Sequence, residues 1–335
     1  MLDFARPETL PGRQVEAWKY SDLRAAVRTP LPPSPPAQPA LGPDLFAEVP
    51  ARPITYVNGR LQCGGEPGGP ADVHRLRIVS DATGTAHRVA AEFAVRAGER
   101  AVLLETYEGR GAYAADAELR ITLDPGAVLE RIVVADEPEA AVSVSRASVQ
   151  LAPGAAFRQT VVASGARLQR LETTVSHPGG GAEARLDGLY LLKGARHADL
   201  TSIVAHEGLD GVTAQLTKGV VRDRARGVFQ GKIVVAEGAD RTDARMGHHA
   251  LLLSDGAEVD AKPELEIYAD DVSCAHGNTV GALDEQALFY ALARGIPAEA
   301  ARAMLIEAFL GEVVDRIQHE AAREAVRAWV AERLR

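Results

Sequence analysis

The sequence reads as a mainly β protein, a stack of short strands closed by helical segments at both ends. Three observations predict this. Short β-branched runs recur from about residue 50 to 282, Gly-Ala pairs punctuate them, and the chain beyond residue 283 switches to a helical period.

The strand candidates are ITYV (54–57), AVLLETY (101–107), LRITL (119–123), RIVVA (131–135), QTVVA (159–163), KIVVA (232–236) and LEIYA (265–269). Between many of them a glycine is followed by alanine: Gly126, Gly154, Gly165, Gly181, Gly194, Gly238 and Gly256. Glycine supplies a positive-φ corner and alanine takes little room inside a tight bend. With no helical stretch between the runs, a βαβ sheet is disfavoured, and a sandwich or a solenoid of stacked rungs remains. The solenoid is preferred because the corners repeat while no Cys–Trp–Cys pattern of a paired-sheet domain is present.

The flanks read differently. Residues 9–28 carry a helix-compatible pattern with Val15, Trp18 and Leu23 as apolar points. Residues 29–43, TPLPPSPPAQPALGP, predict a stiff polyproline-like spacer. At the other end Asp284 caps EQALFYALAR, which stops at Gly295, and Pro297 opens a second helix. In that helix Met304, Phe309, Val313 and Ile317 fall close to one face; in a third, Val326, Trp329, Val330 and Leu334 form a stripe. The expected division is therefore 1–45 (helical segment and linker), 46–282 (β core) and 283–335 (helical domain).

Bulk properties limit the function classes. With 37 Lys and Arg against 46 Asp and Glu, the net charge is −9, which argues against a nucleic-acid binder. Cys63 and Cys274 are the two cysteines, too few for a disulfide framework and suited to a reducing compartment. The N-terminus lacks a secretory pattern and no window approaches the ~18–20 apolar residues of a membrane span, so a cytoplasmic protein is expected.

No phosphate loop, HExxH or CxxC is present, and Gly179 to Gly181 lack the Lys-Ser/Thr that a phosphate cradle needs. Chemistry concentrates at YADDVSCAHGNTVG, 268–281. If DVSCAH is a strand, Cys274 and His276 point to one face and make half a site for iron or zinc. Spacing alone favours the plainer reading, a buried cysteine acting as a small hydrophobe beside a hydrogen-bonded histidine. The neighbours His248 and His249 face opposite ways on a strand, as do Asp270 and Asp271, and neither pair predicts a shared site. His206 stands alone and reads as a packed or exposed residue.

Residues 262–281, KPELEIYADDVSCAHGNTVG, followed by LDEQALFYALARGI (283–296), resemble the SufB/SufD family of SUF iron–sulfur cluster assembly scaffolds, on its SufD side. So do LLLS (251–254), KGVVRDRARGVFQGKIVV (218–235), LLETYEGRG (103–111) and RQVEAWKYSDLR (13–24). The resemblance implies a right-handed parallel β-helix with an N-terminal helical segment and a C-terminal helical domain. It implies a complex with a SufB-type paralogue through the β-helix and a SufC-type ABC ATPase on residues about 284–317. It carries Cys274 and His276 over as ligands of a nascent, transient iron–sulfur cluster shared with that paralogue. A flavin in the complex and a homodimer in the absence of SufB stay open. Ala275 and Asn278 depart from the commoner Ser and Ala of the motif.

The expected function is thus a non-catalytic SufD-like scaffold. Two alternatives stand beside it: a Cys–His thiol-dependent enzyme at Cys274 and His276, and a polysaccharide-binding β-helix. The second is weakened because Trp18 and Trp329 both lie outside the strand region.

Overall fold

The computed structural model describes residues 2–37, 42–62 and 72–334; Cys63 and Pro39 lie outside them. Among the described residues, strands alternate between two sheets. One sheet runs β1 (Arg52–Val57), β3 (Val73–Ser80), β5 (Arg100–Gly109), β7 (Val128–Asp136), β9 (Ala156–Ala163), β11 (Glu183–Leu192), β13 (Val212–Val221), β15 (Thr242–Leu252) and β17 (Val272–Gly281), with β2 (Arg60–Gln62) antiparallel beyond β1. The other runs β4 (Thr85–Val95), β6 (Tyr113–Leu123), β8 (Val142–Leu151), β10 (Leu168–His177), β12 (His197–His206), β14 (Arg226–Val235) and β16 (Glu258–Ile267).

Every ladder apart from β1–β2 is parallel, and each strand pairs with the one two places on, so the chain coils into a β-solenoid of about seven turns. Ala114 pairs with Val142, 28 residues later, and Val228 with Asp260, 32 later. The predicted runs fall on these strands, except that KIVVA overruns β14 by Ala236 and LEIYA overruns β16 by Tyr268 and Ala269. The corner glycines Gly126 and Gly154 have φ near +70°, whereas Gly256 does not take a positive φ.

The apolar runs look continuous because the odd-numbered strands are buried on both faces. In RIVVA, Val133 joins Leu103, Phe157, Val161 and Val175 inside the solenoid. Its neighbours Ile132 and Val134 face outward, against the C-terminal helices α3 (Ala298–Val314) and α4 (Glu320–Leu334). Val326, Trp329 and Val330 are buried there as expected. Met304 is not: it is 54% exposed, and Ile306, Leu310, Val313 and Ile317 make the covered face. The sheet, wider than one helix, selects an i, i+4, i+7 stripe one step away from Met304.

The N-terminal segment departs from its expected helix. Residues 9–28 form a 3-10 turn at Glu16–Trp18 and a single turn, α1 (Leu23–Ala26), capped by the Asp22 side chain. Pro11 and Gly12 interrupt helix formation, and contacts with the even-numbered sheet hold the rest. Trp18 lies 4.5 Å from the Arg170 guanidinium, which donates to Ala17 O (2.8 Å) and Asp199 Oδ2 (2.7 Å). Ser21 donates to the same Asp199 oxygen at 2.6 Å. The proline stretch is no free spacer where it is described. Pro33 bridges Ala86, and the Ser34 N–H donates to Ala86 O (2.8 Å), covering the free edge of β4.

Five histidines in this body, His177 among them, are held toward the neutral form by burial. His87, His197 and His248 are pushed down to about 4 and His206 to about 3, from an ordinary 6.5. Above 6.5 neither folded nor unfolded chain protonates them. As pH falls from 6.5 toward 4 the unfolded chain takes up protons that the folded one refuses, so unfolding is favoured. Denaturant midpoints should therefore drop steadily over that window, and His206→Gln should shallow the slope by about one proton.

Candidate functional site

The solenoid ends in a rung that no further strand covers among the described residues. β16 and β17 are the terminal strands of their sheets, and Ile267 (40%), Tyr268 (64%) and Val280 (44%) are exposed beside them. A bare strand edge offers unpaired backbone groups to another strand.

Cys274 and His276 both lie on β17. The parallel register sets Cys274 against Ala244, His276 against Met246 and Asn278 against His248. Ala244, Met246 and His248 are all buried on β15, so their three partners share the inward face. His276 is exposed, and among the described residues no further strand stacks beyond β17. Cys274 is half-buried, packed with Leu265, Ala269 and Val272 against the cluster of Phe229, Ile233 and Met246.

Burial pushes the Cys274 thiol up; the Asp243 carboxylate adds to this and a backbone N–H at Ala244 opposes it. The group is a neutral thiol at pH 7, becoming a thiolate on coordination to a cation. Among the described residues no set of three or more His, Cys, Asp and Glu side chains gathers closely enough to hold a metal ion. The pair is two donors on one face of an open edge.

Behind His276 lies an arrangement that spacing did not reveal. His248 stacks on Phe229 (4.7 Å, 2° between planes), shares a hydrogen bond between Nε2 and the Tyr190 hydroxyl (2.8 Å) and meets Asn278 Oδ1 at Nδ1 (2.6 Å). Its neighbour His249 points away, as alternation requires, and bonds Thr279 Oγ1 (2.7 Å). His206 is not alone: its ring lies 4.4 Å from His177, its ladder partner one turn earlier. The signal for both clusters is a polar residue at an inward position, visible only once register is known. The glycines 179–181 turn into β11 rather than opening a helix, and Asp270 and Asp271 lie in the loop between β16 and β17, where the Asp271 N–H meets Asp240 Oδ1 at 3.5 Å.

On the helical side Asp284 caps α2 (Glu285–Ala293) through the Gln286 and Ala287 amides, and Gly295 follows with φ +83°. Pro297 precedes α3 as its N-cap. Phe289 (73%), Tyr290 (60%), Leu292 (43%) and Met304 stand exposed together with α2 and α3. Concave pockets occur elsewhere, such as that of about 300 Å³ lined by Tyr107, Glu108, Asp136 and Trp329.

These features define a parallel β-solenoid protein with donor side chains at an open strand edge and exposed apolar side chains on its C-terminal helices. The chain belongs to the SufB/SufD family: the family described as "SUF system FeS cluster assembly, SufBD core domain" matches residues 78–309. It is similar to the iron-sulfur cluster assembly protein SufD of Escherichia coli (strain K12), 37% identical over 179 residues, which is 53% of this chain and 42% of that protein. It is 31% identical over 153 residues to SufD of Bacillus subtilis (strain 168), 46% of this chain and 35% of that one. Against a SufBD family protein of Mycobacterium tuberculosis (strain ATCC 25618 / H37Rv) it is 29% identical over 245 residues, 71% of this chain and 61% of that one. The matched stretches thus span well under two thirds of the first two relatives and a little under two thirds of the third.

A thiol held up by burial labels slowly. In a Cys63→Ser background, iodoacetamide should modify Cys274 more slowly than a free exposed thiol at pH 7, with the rate still climbing beyond pH 9; a rate that levels off below pH 8 contradicts the assignment.

Proposed function

We propose that this chain is a SufD-like, non-catalytic scaffold subunit for iron–sulfur cluster assembly, working in the cytoplasm. The observation that carries the reading is the placement of Cys274 and His276 on the inward face of an uncovered terminal rung. A thiolate and an imidazole are donors that iron accepts, and two of them leave coordination positions for a second protein. A SufB-type paralogue meeting the edges of β16 and β17 supplies the remaining ligands, and the nascent cluster is cargo held between the two. A SufC-type ATPase docks on residues about 284–317, where Phe289, Tyr290, Leu292 and Met304 present an apolar face on a chain of net charge −9.

The thiol-enzyme alternative gains no support here. Cys274 sits within a strand with its thiol pushed up, not at a helix start with a lowered one.

The test is co-expression with the SufB- and SufC-type partners, anaerobic purification, and assay of iron, sulfide and flavin. Cys274→Ala and His276→Ala should each leave the Tm within about 2 °C of the parent, because neither side chain is fully buried, while lowering cluster yield at least tenfold. Normal iron–sulfur enzyme activity in cells relying on the double variant sinks the proposal.

For the ATPase face, truncation of 297–335 is a poor probe, since it strips Ile306, Leu310, Val326 and Val330 from the sheet they cover. Phe289→Asp with Tyr290→Ser changes only exposed groups. It should weaken ATPase capture at least tenfold with the Tm unmoved; undiminished capture refutes the docking face.

A further inference from the structure

The hydrogen-bond chain behind the terminal rung has a direction, and it ends at Asn278. Tyr190 is fully buried and reaches past two glycines to His248; a Cβ at Gly219 or Gly227 would lie 2.0 or 2.5 Å from the Tyr190 ring. The Tyr190 hydroxyl, buried, must find an acceptor, and among the described residues its partner is His248 Nε2 (2.8 Å). The hydroxyl therefore donates, and Nε2 carries no proton. A neutral ring then holds its hydrogen on Nδ1, and that N–H donates to Asn278 Oδ1 at 2.6 Å. With Oδ1 held by His248, the NH2 group of the exposed Asn278 has no partner among the described residues, on the face it shares with His276.

We infer that Asn278 is a positioning residue of the shared site, an N–H donor held by the Tyr190–His248 relay toward an anionic sulfur, thiolate or sulfide, bound beside His276. This rests on the reading of Cys274 and His276 as cluster ligands. Residues two apart on a strand are separated by about 6.6 to 6.8 Å. Metal bonds to nitrogen and sulfur are each about 2.0 to 2.3 Å long. A sulfur on a metal at His276 therefore falls within reach of an amide two positions along the same face. An N–H bond to a ligating sulfur offsets its negative charge and so raises the reduction potential of the metal centre. The departure at this position acquires a physical reason: alanine there would leave the His248 Nδ1–H without its acceptor.

The experiment has two arms. In the ¹⁵N-labelled full chain, imidazole shifts should show His248 protonated on Nδ1 alone, with Tyr190→Phe giving both tautomers; an Nε2–H tautomer in the parent overturns the inference. In the complex with the SufB-type partner, loaded anaerobically with ferrous iron and sulfide, the Fe–S stretches should shift between H2O and D2O. Asn278→Ala should keep the parent's iron content, lose that isotope shift and move the midpoint potential negative. If Asn278→Ala matches the parent while His276→Ala strips the iron, this inference falls and the shared site stands. If the parent takes up no iron and sulfide, or His276→Ala keeps both, the shared-site reading falls and this one with it.

Discussion

The parallel ladder from β11 through β13 and β15 to β17 is the constraint on which the rest of the molecule depends. Its register decides which side chain of each rung faces the interior, and a slip of one residue would send every inward group outward. Leu186, Gln215, Met246 and His276 form one inward column, and Gly188, Thr217, His248 and Asn278 the next. The small members of such columns matter as much as the large ones. Because Gly219 follows Tyr190 in its own column, the ring can lean along the axis and meet a histidine two rungs on.

Inward polar groups reinforce the register rather than weaken it. Glu105 and Arg131, both buried, pair at 2.8 Å, and Arg131 also donates to Gln159 on the following rung. Removing one partner would leave an uncompensated buried charge, at a cost of about 3–5 kcal/mol. The alternative registers that would separate these groups are disfavoured accordingly. On the outer surfaces the same logic works through apolar contact. The C-terminal helices cover one sheet, the N-terminal segment covers the other, and Pro33 closes the edge at β4. The edge at β16 and β17 has no such cover among the described residues, and the donor residues lie there.

Much of this was legible in order along the chain. The strand runs, the corner glycines at 126 and 154, the cap at Asp284 and the buried stripe of Val326, Trp329 and Val330 are local signals, set by period and by backbone conformation. The helix expected over 9–28 was not, because Trp18 and Ser21 answer to Arg170 and Asp199, some 150 residues or more away. Met304 misled for a related reason: periodicity gives a stripe, and the neighbour decides which stripe is covered.

At the site the sequence by itself determined that Cys274 and His276 share a face, since alternation along a strand is a property of the backbone. Only the tertiary structure decided that this face is the inward one, that no rung lies above it, and that Asn278 joins it through His248 and Tyr190. Those facts depend on residues 30 and 58 positions apart coming into register, which is a consequence of how the turns stack and is written in no local pattern.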